Sequence, residues 1–345
     1  MNPIIWSILI ASLSTSSIIT LTSHHWMLAW LGLELNTLSI LPIIMKPHHP
    51  RATEATTKYF LIQALAAAMI LFASTMNAWQ TGHWTITNSN TTTTTIVTVA
   101  ILLKLGIAPV HLWYPEVIQG ATLNTALLIS TWQKIAPTAL LYMMHNNLPT
   151  NLILLTGLLS TLLGGWAGLN QTQTRKIMAH SSIAHMGWIL AALALNPQLT
   201  TTVLLIYIIM TTAMFSSLNS TMTKTITDMG SAWSTSPTMM TLTLLTLTSL
   251  GGLPPLTGFL PKLLILNELT TNSLLPLATI MALASLPSLF FYIRLAYTTT
   301  LTTPPNTTNT EHKWRFKASS AQNPTPMMTT AIMLLPLTPI LYNTT

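Results

Sequence analysis

The sequence has no cysteine among its 345 residues, and it has very few charges. Without cysteine there is no disulfide framework, thiolate metal site, iron–sulfur ligation or cysteine nucleophile. Gly-rich loops of the dinucleotide or Walker type are also missing. Charged residues make up only 6% of the chain, whereas a soluble domain carries about 25%. So few charges cannot give the chain a solvated surface. We therefore interpret it as an integral membrane protein rather than a very apolar soluble one.

Apolar runs long enough to cross a bilayer recur along the whole chain. Each span needs about 20 mostly apolar residues. Threonine is abundant in these runs, but its hydroxyl can bond back to its own helix, so Thr-rich runs can still cross. Residues 2–21 have no basic leader, so we interpret them as a first span rather than a cleaved signal. We predict an all-α membrane protein with about eleven transmembrane helices. They are predicted at residues 3–21, 26–45, 58–79, 93–119, 123–144, 151–169, 176–195, 200–222, 238–267, 275–298 and 326–342.

Lysines and arginines at the ends of these spans all fall on one side of the membrane map. Loops with an excess of Lys and Arg stay on the inside face. The pattern therefore predicts the N-terminus on the positive-inside face and the C-terminus on the opposite face. The formal net charge of +7 then indicates membrane orientation rather than nucleic-acid binding. The one-sided residues are Lys46, Arg51, Lys58, Arg175, Lys176, Lys224, Arg294, Lys313, Arg315 and Lys317.

The pattern L-G-x-x-P occurs twice, at residues 105–109 and 250–254, and each copy is followed by a further proline, Pro115 or Pro261. Glycine and proline inside a hydrophobic span interrupt its helix. Interrupted helices at matching places in two halves are typical of an inverted repeat and its transport site. Because the pattern is short, coincidence is the alternative. The predicted breaks lie at Gly106, Pro109, Gly252, Pro254 and Pro255.

The two motifs are separated by five predicted spans, and an odd number inverts the second unit relative to the first. We therefore expect one polytopic membrane domain over residues 1–345. It would consist of a five-helix repeat at 1–145 and an inverted repeat at 150–300, each with a broken helix. A positive-side loop at 301–325 and a terminal helix at 326–345 would follow.

Four charged residues, Glu34, Lys104, Lys134 and Lys262, lie inside predicted spans and away from the span ends. A lysine at the bilayer centre costs on the order of 3 kcal/mol, so such residues are expected to face a bundle interior or a water cavity. Burial disfavours an ammonium and a nearby carboxylate favours it, so a buried lysine beside an acid can load and release a proton. The alternative is a set of buried ion pairs that only fix helix packing. That fits poorly, because three lysines share one mid-membrane acid.

Three histidines in or beside the spans are further candidates. His180 and His185 lie in the seventh span, and His111 follows the first predicted break. Each is either a hydrogen-bonded packing residue or part of a secondary proton path, since imidazole titrates near neutral pH. A metal site is not expected, because no carboxylate or cysteine accompanies them. The acids near span ends are interpreted mainly as interfacial charges. These are Glu54, Glu116, Asp228, Glu268 and Glu311.

Six stretches in order along the chain resemble a known family, the chain 2 subunits of mitochondrial NADH:ubiquinone oxidoreductase, or respiratory complex I. These are antiporter-like subunits of the membrane arm, related to Mrp-type sodium/proton antiporters. The stretches are HWMLAWLGLELN at 25–36, EATTKYF at 54–60, KLGIAPVHLWYPE at 104–116, WQKI at 132–135, AHSSIAHMG at 179–187 and LGGLPPLTGFLPK at 250–262.

The resemblance implies roles for particular residues. Glu34 would pair with Lys104, Lys134 and Lys262 would carry the proton onward, and Lys58 would be a further channel residue. It also implies that flavin, iron–sulfur clusters and the quinone site belong to other subunits, so this chain would hold no cofactor. Its partners would be other membrane-arm subunits, including further antiporter-like ones, and the lipid bilayer. The location implied is the mitochondrial inner membrane, with the N-terminus in the matrix and the C-terminus in the intermembrane space.

The leading functional hypothesis is therefore a proton-translocating subunit of a redox-driven pump. A self-standing cation/proton antiporter would share the same interrupted helices and lysines. A purely structural membrane scaffold is the third alternative, and it predicts that Lys104 and Lys134 are dispensable for pumping.

Overall fold

A computed structural model describes residues 3–233, 236–301 and 324–337 of the chain. Regular structure in these ranges is helical, apart from two isolated β-bridges that pair His25 with Thr85 and Gln173 with Thr225. By length and composition, 7 of the described helices could cross a membrane. The prediction of an all-α membrane protein is confirmed, whereas the count of eleven spans remains a prediction.

The chain divides into two units, Met1–Leu159 and Ser160–Thr345, and the division falls within one helix, α8 (Thr150–Gly168). In the first unit α2 packs between α1 and α3, and α3 also packs against α4 and α5. The helices of this unit before α8 are α1 (Pro3–Thr22), α2 (Trp26–Met45), α3 (Pro50–Thr81), α4 (Thr91–Leu105), α5 (Trp113–Gly120), α6 (Leu123–Ser130) and α7 (Trp132–Met143).

The third helix, α3, begins two turns earlier than its predicted start at residue 58. Pro50 occupies its first turn, where a missing N–H costs nothing. The ring Nδ1 of His49 caps the helix by accepting a hydrogen bond from the Arg51 N–H at 3.2 Å. The helix therefore includes Glu54 and Lys58, which the sequence-based map places before the span or at its first residue.

Two predicted spans of the first unit are each two helices. The span predicted at 93–119 stops at Leu105, where Gly106 takes a left-handed conformation with φ +69, and helix resumes at Trp113. This interruption coincides with the first L-G-x-x-P motif. The span predicted at 123–144 is interrupted at Thr131, whose φ and ψ are −114 and −71. No glycine or proline stands at that position, so the sequence has no local sign of the second interruption.

The second unit contains an interruption at the second motif. The span predicted at 238–267 consists of α12 and α13, with residues 252–258 non-helical between them. The short helix α11 was not predicted, and a capping box between Thr225 and Asp228 starts it. The helices after α8 are α9 (Thr174–Leu195), α10 (Pro197–Thr221), α11 (Ile226–Ala232), α12 (Pro237–Gly251), α13 (Phe259–Thr271), α14 (Leu275–Leu301) and α15 (Thr325–Met333).

The terminal helix is shorter than the prediction of one continuous span over 326–342. The α-helix α15 ends at Met333, and a 3-10 turn follows at Leu335–Leu337. Pro336 explains the end of the helix, because its ring excludes the helical N–H bond and clashes with the preceding turn. The predicted loop at 301–325, with Glu311, Lys313, Arg315 and Lys317, lies outside the described residues except at its two ends, and residues 338–345 lie outside them as well.

The segment between α12 and α13 is held against both α12 and α15. A Cβ on Gly258 would lie 1.8 Å from the Ser249 carbonyl oxygen, so only glycine allows this approach. Thr257 is fully buried, and its hydroxyl donates a hydrogen bond to the carbonyl of Ala331 in α15. In a continued helix that carbonyl would accept the N–H of Leu335. The C-terminal helix therefore anchors the segment that interrupts the second unit.

Replacement of Thr257 by Val tests this anchor. The substitution keeps the side-chain shape but removes the donor, which leaves the Ala331 carbonyl buried without it and costs about 1–3 kcal/mol. We expect faster hydrogen exchange of the α15 amides in the membrane-embedded protein, measured by mass spectrometry. The matched control is Thr248→Val, whose hydroxyl bonds only to Leu244 and Leu245 of its own helix. Equal exchange in both variants would contradict the anchor.

Candidate functional site

Two buried lysines of the first unit line one small cavity. Lys104 is in the last turn of α4 and Lys134 is in the first turn of α7, with 7% and 3% of their surface exposed. The cavity volume is about 20 Å³, which is sufficient for a water molecule. Both lysines are thus at helix ends that an interruption creates. The polar lining also includes Asn36, Thr37, Tyr59, Gln63, Tyr114 and Gln133.

Lys104 contacts a neutral amide. Its Nζ lies 3.5 Å from the Oε1 of Gln63, and the Nε2 of Gln63 donates to the main-chain carbonyl of Lys104 at 3.3 Å. Gln63 is itself 3% exposed. The amide of Gln63 therefore contacts both the side-chain amine and the main-chain carbonyl of Lys104, at the C-terminal end of α4.

Lys134 is placed over an aromatic ring. Its Nζ lies 4.9 Å from the centroid of the Tyr114 ring, a distance at which the ring face attracts an ammonium. Its position in the first turn of α7 puts the charge near the positive end of the helix macrodipole, which opposes it. Lys104, in the last turn of α4, is at the favourable end. The two lysines thus share a cavity, but Lys104 lies at the negative end of one helix macrodipole and Lys134 at the positive end of another.

Polar side chains that the sequence analysis did not single out connect α2, α3 and α7 beside the lysines. The Nε2 of Gln133 donates to the Oδ1 of Asn36 at 2.9 Å, and the Tyr59 hydroxyl donates to the Oε1 of Gln133 at 3.4 Å. Gln63 is the fourth member of this set. Glutamine and asparagine inside otherwise apolar spans are the signal that could have identified them, because buried amides need partners.

Glu34 lies on α2 and makes no direct contact with Lys104. These two residues form no ion pair within 4.0 Å, and no described residue donates a hydrogen bond to the buried Glu34 Oε2. A direct Glu34–Lys104 pair is therefore not present in this structure, and an approach through water remains a prediction.

In the second unit Lys262 bonds to the main chain of the helix before the interruption. Its Nζ donates to the carbonyl of Gly251, the last residue of α12, at 2.8 Å. This carbonyl is at the negative end of the helix macrodipole, where a cation is favoured. Gly252 has φ +82, and a Cβ there would lie 2.9 Å from the Lys262 Nζ. Glycine at 252 thus permits both the turn and the lysine contact.

A second small cavity, also about 20 Å³, contains Lys262, His185 and Tyr207 in its lining. The His185 Nε2 lies 3.4 Å from the Tyr292 hydroxyl, and its ring is 5.8 Å from that of Tyr207. His180 is buried one and a half turns earlier on α9 and is not among the lining residues of this cavity. The structure therefore places His185, but not His180, beside the lysine of the second unit.

Lys58 and His111 lie apart from the lining of the first-unit cavity. Lys58 bridges two acids, with its Nζ at 2.5 Å from Glu54 and 2.6 Å from Glu116, and all three side chains are at least 40% exposed on this chain. Both acids thus form ion pairs with Lys58, in addition to lying near helix ends. The Nδ1 of His111 lies 3.3 Å from the Pro109 carbonyl within the first interruption.

The comparison with known proteins covers nearly the whole chain. Residues 23–287 match the family model described as NADH:quinone oxidoreductase/Mrp antiporter, TM, and residues 289–342 match the one described as NADH dehydrogenase subunit 2 C-terminus. The NADH-ubiquinone oxidoreductase chain 2 of Carassius auratus is 53% identical over 100% of both chains. This chain belongs to the NADH-ubiquinone oxidoreductase chain 2 family. Chain 2 of Formosania lacustris is 55% identical over 98% of each chain, and that of Squalus acanthias is 52% identical over 99% of each. The resemblance stated from the sequence is confirmed.

Solved structures with the same fold include chains of respiratory complex I and of an Mrp complex. A chain of respiratory complex I from Thermus thermophilus has a TM-score of 0.81 at 24% identity, over 95% of this chain and 78% of its own. A chain of the Mrp complex from Dietzia sp. DQ12-45-1b has a TM-score of 0.81 at 16% identity, over 97% and 75%. At these identities the likeness shows the fold alone. The fold of this chain 2 family member is thus the antiporter-like membrane fold.

The two glycines before Lys262 provide a matched pair of substitutions. In Gly252→Ala the new Cβ would meet the Lys262 amine, and a left-handed conformation costs a non-glycine residue about 1–2 kcal/mol. In Gly251→Ala the nearest side-chain atom is 3.8 Å away and the position is helical. We expect a lower apparent melting temperature in membranes for Gly252→Ala and an unchanged one for Gly251→Ala. Equal melting temperatures would show that Lys262 does not depend on Gly252.

Proposed function

We propose that this chain is a proton-translocating membrane-arm subunit of NADH:ubiquinone oxidoreductase in the mitochondrial inner membrane. The observation that carries the proposal is the pair of buried lysines, Lys104 and Lys134, that share a water-sized cavity beside interrupted helices. Membership of the chain 2 family supports the assignment to complex I. Ordinary packing does not explain two lysines in one cavity, because each is costly to bury in a membrane.

In this proposal the proton relay of the first unit consists of Glu34, Lys104 and Lys134. Glu34 and Lys104 approach each other directly or through water in one state, and their separation releases the Lys104 proton towards Lys134. Lys134 is a suitable next carrier because the helix end at which it lies disfavours a fixed positive charge. Lys262 serves the second unit, and its cavity with His185 is the proton-accessible space there. Lys58, His111, His180 and His185 are assigned to a secondary path.

The inverted five-helix repeats at 1–145 and 150–300 are part of the same proposal. They are supported by an interruption after a Gly-Pro motif in each unit, with a lysine at both. An inverted pair of broken helices is a usual way to build a transport site at the bilayer midplane.

Redox chemistry is assigned to other subunits. Flavin and iron–sulfur clusters need binding motifs or cysteine ligands that this sequence lacks, and the quinone site is placed elsewhere too. This chain would act on the proton alone, driven by electron transfer in its partners. Those partners are other membrane-arm subunits, including further antiporter-like ones, with no role for nucleic acid.

A self-standing cation/proton antiporter is the second candidate, and the fold shared with the Mrp complex chain favours it. A structural scaffold is the third. Native extraction of the membranes and identification of the copurifying proteins separates the first two. A stable solitary chain would favour the antiporter, whereas a large assembly with redox subunits would favour the proposal.

Labelling of introduced cysteines tests the orientation. The positive-inside pattern places the N-terminus and the loop after α2 in the matrix and the C-terminus in the intermembrane space. Because the chain has no cysteine of its own, His48→Cys, His83→Cys and Asn343→Cys each create a single label. We expect His48→Cys to react with a membrane-impermeant thiol reagent only from the matrix side, and the other two only from the opposite side. Reaction of His48→Cys and Asn343→Cys from the same side would refute the topology.

Neutralising the relay tests the function. Glu34→Gln and Lys104→Met keep similar side-chain sizes and remove the charge, so each should impair proton pumping while assembly stays largely intact. At an effective dielectric of about 20, a pair at 4 Å interacts by roughly 4 kcal/mol, so its loss should be large. The measurement is pumping per NADH oxidised in assembled membranes. Glu268→Gln is the matched control, since that acid lines neither lysine cavity. Normal pumping by Lys104→Met would sink the relay.

A further inference from the structure

Gln63 is the side chain that holds Lys104 in this structure. It is a polar residue on the apolar helix α3, and it is almost fully buried beside the end of α4. Both of its amide atoms contact the same residue: Nε2 lies 3.3 Å from the Lys104 carbonyl, and Oε1 lies 3.5 Å from the Lys104 Nζ. Packing alone does not require both atoms of a buried amide to contact the same lysine.

The end of α4 determines which way the amide points. In a continued helix the Lys104 carbonyl would accept the N–H of Ala108, but α4 stops at Leu105, and the Gly106 N–H bonds to Leu102 and Leu103. The carbonyl is left for a side-chain donor, and of the two amide groups of Gln63 only the NH₂ can donate. The Oε1 is then directed to the ammonium. The helix interruption thus orients Gln63 as an acceptor for Lys104.

In the proposed relay Lys104 has two alternative partners of different chemistry. In this structure Lys104 contacts the neutral amide of Gln63, whereas the Glu34 carboxylate forms no ion pair with it within 4.0 Å and has a buried Oε2 to which no described residue donates a hydrogen bond. The other titratable groups around the same cavity are Tyr59, Tyr114 and Lys134. An amide binds an ammonium less strongly than a carboxylate does, since charge-assisted hydrogen bonds are roughly twice as strong.

We propose that Gln63 is a positioning residue of the relay, which receives the Lys104 side chain when Glu34 releases it. The inference rests on the proposed function. It adds the group that accepts a hydrogen bond from the Lys104 amine once the Glu34–Lys104 pair has separated. On Gln63 the amine still has an acceptor, but its proton is held less firmly than beside the carboxylate. Transfer of the side chain from Glu34 to Gln63 thus prepares the proton for Lys134.

Two substitutions of Gln63 should shift the alkaline limb of the pH profile of pumping in opposite directions. Gln63→Leu removes the acceptor, so the Lys104 ammonium is disfavoured. Pumping should fall by about three- to ten-fold, the size expected for one buried hydrogen bond, and the alkaline limb of its pH profile should move to lower pH. Gln63→Glu provides a permanent carboxylate, so the same limb should move to higher pH while turnover falls. Ser74→Ala, at another buried position of α3 whose hydroxyl bonds only within the helix, is the control and should leave the profile unchanged.

The outcomes separate this inference from the proposed function. Pumping and its pH profile are measured in assembled membranes for the Gln63 variants, Ser74→Ala and Lys104→Met. If Lys104→Met fails to pump while both Gln63 variants keep the wild-type pH profile, or shift it in the same direction, the inference is wrong and the relay stands. If Lys104→Met pumps normally, the relay itself is wrong.

A structural measurement covers the case in which the Gln63 variants do not assemble. Electron cryomicroscopy of the wild-type assembly at rest and during NADH oxidation should show the Lys104 Nζ within hydrogen-bonding distance of Gln63 in one state and close to Glu34 in another. A Lys104 side chain that never contacts Gln63 in any state would overturn the inference.

Discussion

Main-chain groups inside a bilayer must find partners within the protein, and this requirement determines where the lysines can lie. Continuous helices satisfy it by themselves, but an interruption leaves carbonyls and N–H groups that lipid cannot bind. In both units the interruption leaves a carbonyl at the end of a helix without its helical partner, and a side chain donates a hydrogen bond to that carbonyl. Each of these arrangements also places a buried or half-buried lysine beside the end of the helix.

The two units solve the same problem with different donors. In the first unit the amide of Gln63 bonds the carbonyl at the end of α4, and the lysine belongs to that same helix end. In the second unit Lys262 itself bonds the carbonyl at the end of α12. The first lysine is therefore held by a neutral side chain, which alternates with the Glu34 carboxylate in the proposed relay. The second is held by a helix end, where the macrodipole replaces a carboxylate.

These differences have a consequence for proton transfer. A lysine with two alternative partners can change its hold on a proton when a side chain moves, which needs no change in the helices. Lys262 is bound to a main-chain carbonyl at the helix interruption, and Thr257 ties that interruption to the C-terminal helix. In the proposed relay, the first unit would switch by side-chain movement and the second by movement of α12, α13 or α15.

The sequence alone determined the membrane class, the family and the places of the two motif-marked interruptions. Low charge, long apolar runs and Gly-Pro pairs act locally, so they can be read without knowing what packs against them. The lysines were found for the same reason, since an ammonium inside an apolar run is conspicuous. Only the tertiary structure decided what each lysine touches. The contact between Gln63 and Lys104 joins α3 to α4, and the interruption at Thr131 has no local sign. Partner choice in a buried site depends on which helix faces which, and on where a helix end leaves a carbonyl free, and neither is written in any one stretch of sequence.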